Sequence, residues 1–65
     1  MSQLLSTKQL ASLLSVAPGL VYKSRMTGFL MGVEAPKHLK MGQTVRYELE
    51  TVEAWIEQFK QGEDQ

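Results

Sequence analysis

The side chains of this sequence that could do chemistry are mostly cations. Lys8, Lys23, Arg25, Lys37, Lys40 and Arg46 all precede residue 48, where Glu34 is the one acid among them. From residue 48 onward, Lys60 stands against Glu48, Glu50, Glu53, Glu57, Glu63 and Asp64. Six against one in each direction gives +5 and −5, so the formal net charge of zero conceals a basic body and an acidic C-terminal part. A zero sum argues against a polyanionic partner. The segregation argues for one, because a basic face can meet phosphate while the acidic part stays in water.

The residues that would support catalysis are missing or isolated. His38 is the sole histidine and there is no cysteine, so neither a thiolate metal site nor a disulfide is available. His38 reads as a solvated side chain beside Lys37 and Glu48. Glu50, Glu53 and Glu57 follow helical spacing and imitate paired catalytic carboxylates, but such a row is the ordinary solvated face of a helix. Asp64 is the only aspartate, which leaves no Ser-His-Asp arrangement, and there is no phosphate-loop signature. The chain therefore reads as no enzyme, with no metal and no cofactor.

The elements that must position the cations are legible in part. With 65 residues the chain is one small domain with a thin core, expected over 1–61 with a flexible tail at 62–65. Ser6 and Gln9 have capping-box spacing, and Leu5 and Leu10 occupy the hydrophobic-staple positions. Leu10, Leu13 and Leu14 then form one stripe facing inward, beside the small Ala11. Ser15-Val16-Ala17 breaks the pattern. Pro18 suits a helix start, and Gly28 suits the left-handed end of a second helix running from Pro18 to about Thr27. Leu20, Val21 and Ser24 are expected to face inward, with Gly19, Tyr22, Lys23 and Met26 freer.

Two short helices joined by three residues form a helix-turn-helix pattern, with Ala11 thin at the crossing and Val16 and Val21 filling it. Residues 29–36 form an unusually apolar connector. Its Phe29, Leu30, Met31 and Val33 either close the core or make an exposed patch for association. Lys37 to Tyr47 reads as a β-hairpin. A three-residue loop of Gly42-Gln43-Thr44 would pair Met41 with Val45, Lys40 with Arg46 and Leu39 with Tyr47, keeping apolar pairs on one face and cations on the other. A third helix runs from about Leu49 to Lys60, with Leu49, Val52, Ile56 and Phe59 at apolar spacing and Trp55 beside them. Glu48, Glu50 and Glu53 lie near its N-terminus, where the helix dipole favours negative charge. No apolar run approaches the roughly 20 residues that span a bilayer, and the N-terminus lacks a signal-peptide pattern. A cytoplasmic protein without membrane contact is expected.

The order helix-turn-helix, hairpin, acidic helix with tryptophan is carried by Leu5-Ser6-Thr7-Lys8-Gln9-Leu10-Ala11, Val21-Tyr22-Lys23, Gly28, Val45-Arg46-Tyr47 and Val52-Glu53-Ala54-Trp55-Ile56. Over residues 4–59 it resembles the excisionase and AlpA-like group of MerR-type winged-helix proteins. The resemblance implies a mainly α fold with a small β-hairpin, a winged helix-turn-helix, in a DNA-binding protein of a phage, prophage or other mobile element in a bacterial host. An excisionase-type recombination directionality factor is implied first and an AlpA-like transcriptional regulator second. Its implied partners are double-stranded DNA and an integrase of the tyrosine recombinase type or RNA polymerase. Without a coiled-coil extension after the third helix, cooperative self-association along DNA is expected instead of coiled-coil dimerisation. The chain departs from that group at Ser24 and Arg25, where relatives carry apolar residues, in a longer connector, and in a shorter hairpin loop.

Each candidate residue has a physical role. Pro18, Gly19, Tyr22 and Lys23 lie on the second helix and are expected at bases. Lysine donates to guanine or phosphate, tyrosine donates its hydroxyl and stacks its ring, and a helix N-terminus opened by glycine allows close approach. Thr7, Lys8, Arg25, Lys40, Gln43, Thr44 and Arg46 are expected at phosphates. Arg25 has two options, a phosphate or a pair with Glu34. Lys40 and Arg46, directly opposite in the expected register, would repel until a phosphate lay between them. The competing interpretation is a protein-interaction module whose acidic helix and apolar connector grip another protein.

Overall fold

A computed structural model describes residues 3–60. The first helix, α1 (Thr7–Leu14), begins where the local chemistry requires. The Ser6 hydroxyl accepts from the Gln9 N–H at 3.1 Å, and Gln9 Oε1 accepts from the Ser6 N–H at 2.8 Å. This reciprocal box satisfies two of the N–H groups that a helix start leaves without partners. Leu5 and Leu10 are both buried, as their staple positions demand. α1 stops at Ser15, which adopts φ +59°. The Ser15 N–H reaches Ser12 O at 3.1 Å and the Val16 N–H reaches Ala11 O at 2.9 Å, the paired bonds of a Schellman ending.

The second helix, α2 (Pro18–Thr27), has proline in its first turn and ends on Gly28 at φ +86°, whose N–H bonds Ser24 O at 2.8 Å. Val21 and Ser24 face inward. The buried Ser24 hydroxyl donates to the Val21 carbonyl at 2.6 Å, so a polar residue occupies the inner face without an unpaired group. Two expected inward leucines are not inside: Leu13 is 50% and Leu20 42% exposed. Helical spacing identifies a stripe. Its edges depend on what packs against it, and here Ala11 and Val21 are buried while Leu13 and Leu20 are not.

Residues 29–36 are more ordered than a connector. Strands β2 (Phe29–Leu30) and β3 (Val33–Glu34) pair antiparallel around Met31 at φ +54° and Gly32 at φ +83°. Two consecutive positive φ values are the signature of a type I′ turn, whose twist matches the strands it joins. Leu30 is buried, as closing the core requires, whereas Phe29 and Met31 are exposed.

The longer hairpin is formed by β4 (Leu39–Met41) and β5 (Thr44–Glu48). Its register corrects the expected one: Leu39 faces Arg46, Lys40 faces Val45 and Met41 faces Thr44. The loop is two residues, with Gly42 at φ +65° and Gln43 outside the positive-φ region, the type II′ pattern. A three-residue loop would have placed Thr44 at the left-handed position, which a β-branched side chain resists. The repulsion expected between Lys40 and Arg46 therefore disappears, because the two alternate onto opposite faces.

An unexpected strand, β1 (Leu4–Leu5), lies antiparallel to β5, with Leu5 opposite Tyr47 and Leu4 opposite Glu48. The sheet order is β1-β5-β4. Leu5 and Tyr47 share its inner face and join Leu10, Ala11, Val21 and Val52 in one buried cluster, with Leu14, Val16, Val45, Leu49 and Ile56 around it. The last helix, α3 (Leu49–Lys60), follows β5 directly, and the Leu49 N–H is held by Gln3 O at 2.8 Å. Val52 and Trp55 are its buried residues, and Phe59 meets the Trp55 ring edge-on at 4.9 Å between centroids. Among the described residues the architecture is thus mixed, with three helices and small antiparallel sheets, in general agreement with the expected helices and hairpin and with the β2–β3 pair and β1 added. No described helix is long and apolar enough to cross a membrane. The tail expected at 62–65 lies outside the described residues.

Candidate nucleic-acid interface

The capped start of α1, one side of α2 and the turn end of the β4–β5 hairpin converge on a cleft of about 350 Å³. Ser6, Thr7 and Lys8 come from the first element, Tyr22 and Arg25 from the second, and Gln43, Thr44, Val45 and Arg46 from the third. Seven of the expected contact residues, Thr7, Lys8, Tyr22, Arg25, Gln43, Thr44 and Arg46, therefore share one concave surface. It carries three cations, hydroxyls and a carboxamide, and none of its lining residues is acidic. Glu50, Glu53 and Glu57 are exposed on α3 and are not part of it. Glu57 pairs with Lys60 at 3.1 Å.

Arg25 links α2 to α1 and β5 beside the cleft. Tyr22 and Arg25 are three residues apart and so lie on one side of α2. The guanidinium carbon of Arg25 sits 4.9 Å from the centroid of the Tyr22 ring, a cation–π contact. Its Nη1 donates to Thr7 Oγ1 at 2.9 Å and to the Tyr47 hydroxyl at 3.2 Å. Of the two partners considered for it from sequence, Glu34 is not used. Thr7 is buried, and its hydroxyl oxygen serves Arg25 before any outside group. Tyr22 is half exposed, at 53%, and stands in the cleft wall alongside the residues expected at phosphates. Arg46, half-buried, donates through Nη1 to the Val45 carbonyl at 2.8 Å, which holds its side chain against the strand.

The other four candidates lie outside the cleft lining. Pro18 and Gly19 are exposed at the start of α2, where nothing lies within 4 Å of a side chain added at Gly19. Lys23 is exposed on α2 beside Tyr22, and Lys40 is exposed on β4, one strand farther from the core than β5. Sequence reasoning missed Tyr47 as a contributor, having placed it only opposite Leu39 on the apolar face of the hairpin. The available signal was Arg25 itself: an arginine beside the inward-facing Ser24 on α2 needs polar partners close by. His38 is exposed, with its ring 6.0 Å from that of Tyr47. Comparison with protein-family models, with curated proteins and with solved structures finds no match to this chain.

Proposed function

We propose that this chain binds double-stranded DNA as a winged helix-turn-helix protein without enzymatic activity. α2 enters the major groove through Pro18, Gly19, Tyr22 and Lys23. The β4–β5 hairpin acts as the wing, and the phosphodiester backbone between them occupies the cleft. The observation that carries this is the cleft: Lys8, Arg25 and Arg46 line one concavity that contains no carboxylate. Phosphate contacts fix position, and the exposed side of α2 supplies sequence preference. With the sequence resemblance, this makes the chain an excisionase-type accessory factor or an AlpA-like regulator acting in a bacterial cytoplasm, with cooperative binding of several copies along DNA. Titrating duplex DNA at several salt concentrations tests it. Three phosphate contacts give a log–log slope of about −2.7, so affinity should fall roughly 40-fold between 50 and 200 mM salt. A flat response overturns the proposal.

A second reading, a protein-interaction module, is favoured by the exposed Met26, Phe29 and Met31 near the end of α2 and the β2–β3 turn. An integrase or RNA polymerase would be a compatible partner there. Loss of partner binding on Phe29→Ser, with DNA binding intact, would show that the two surfaces act separately.

A further inference from the structure

The two bonds from Arg25 Nη1 to Thr7 and Tyr47 occupy one end of the guanidinium. The edge formed by Nε–H and the neighbouring Nη2–H makes no bond among the described residues. That edge is the fork by which arginine grips two oxygens of one phosphate. A free arginine side chain loses rotamer entropy on binding. Here Tyr22 below the plane and two acceptors at one end have already removed much of that freedom. Tyr47 is almost fully buried, 1% exposed, so its ring is held by the core while its hydroxyl reaches Arg25.

We infer that Tyr47, assisted by Thr7, is a positioning residue: it holds Arg25 so that the Nε/Nη2 edge receives a single phosphodiester group in the cleft. The role rests on the DNA-binding reading and adds to it a residue that does not itself touch the ligand. Lysine cannot substitute, because a point charge keeps the attraction and loses the fork.

A double-mutant cycle on affinity for a short mixed-sequence duplex tests this. Tyr47→Phe removes one hydroxyl and keeps the ring, and should weaken binding about fivefold. Arg25→Ala should weaken it roughly 10- to 100-fold. In the Arg25→Ala background, Tyr47→Phe should then change affinity less than twofold, because nothing remains to be positioned. Arg25→Lys should keep the salt slope and lose affinity. Thr7→Val provides a second route to the same coupling should Tyr47→Phe fail to fold, with melting curves confirming that each variant compared is folded. Equal losses from Tyr47→Phe with and without Arg25, or no loss in the unaltered background, overturn the inference and leave DNA binding standing. No binding by the unaltered chain at low salt overturns both.

Discussion

The indole Nε1 of Trp55 donates to the main-chain oxygen of Glu34 at 2.6 Å, tying α3 to the end of the β2–β3 hairpin across 21 positions of sequence. Trp55 is 9% exposed and braces Phe59 edge-on, so a single side chain both covers apolar surface and donates to a main-chain carbonyl.

Trp55→Phe keeps an aromatic ring and removes the donor. It should lower the free energy of unfolding by about 1–3 kcal/mol, the range for leaving a part-buried acceptor unmatched. Urea denaturation followed by far-ultraviolet circular dichroism measures it. A change within about 0.5 kcal/mol, the range of an ordinary surface substitution, would show that the bond contributes nothing.

Ser15 holds φ +59° at the end of α1, where the two Schellman bonds require it. A non-glycine residue in that region costs roughly 1–2 kcal/mol, part of which glycine returns through greater freedom in the unfolded chain. Ser15→Gly should therefore raise stability by about 0.5–1 kcal/mol. Gly28→Ala, at φ +86° with open space around it, should lower stability by a similar amount for the mirrored reason. Matched thermal melts would reveal both signs.

Gly42 at φ +65° sets the two-residue turn of the longer hairpin and hence which side chains share each face. Gly42→Val should destabilise the hairpin by about 1–2 kcal/mol through backbone strain alone, since nothing crowds the position. Amide exchange should quicken in β4 and β5 and stay slow in α1. Uniform quickening would mean that the hairpin and core open together.

Lys8 and Arg46 line the cleft, whereas Lys40 stands on the outer strand. Replacing Lys8 or Arg46 with alanine should reduce the DNA salt slope by about one each and weaken binding to all sequences alike. Lys40→Ala should have a smaller effect. Lys23→Ala should change sequence preference more than the slope, as measured by competition between duplexes of different sequence. Equal slopes for Lys8→Ala and Lys40→Ala would contradict the assignment of the cleft.

The helices were legible because their signals are local. Ser6 and Gln9 close a capping box three residues apart, Pro18 opens α2, and Gly28 ends it at the one position that needs a left-handed backbone. Each involves a few consecutive residues and no partner from elsewhere. The hairpin's existence was legible for the same reason, but its register was not. Sharing apolar residues on one face looked decisive, yet the conformational demand of Gly42 and Thr44, together with pairing to the unforeseen β1, outweighed it.

The sequence alone determined where the chain is basic and where acidic, where three helices begin and end, and that no cysteine chemistry is available. Those properties follow from residue type and near-neighbour geometry. Only the tertiary structure decided that Arg25 meets Thr7 and Tyr47, 18 and 22 residues away, and that Lys8 and Arg46 line the same cleft while Lys23 and Lys40 do not. It also decided that Leu13 and Leu20 lie outside the core. Such pairings depend on which faces the closing of the sheet and the crossing of α1 with α2 bring together. No local preference along the chain encodes that distance.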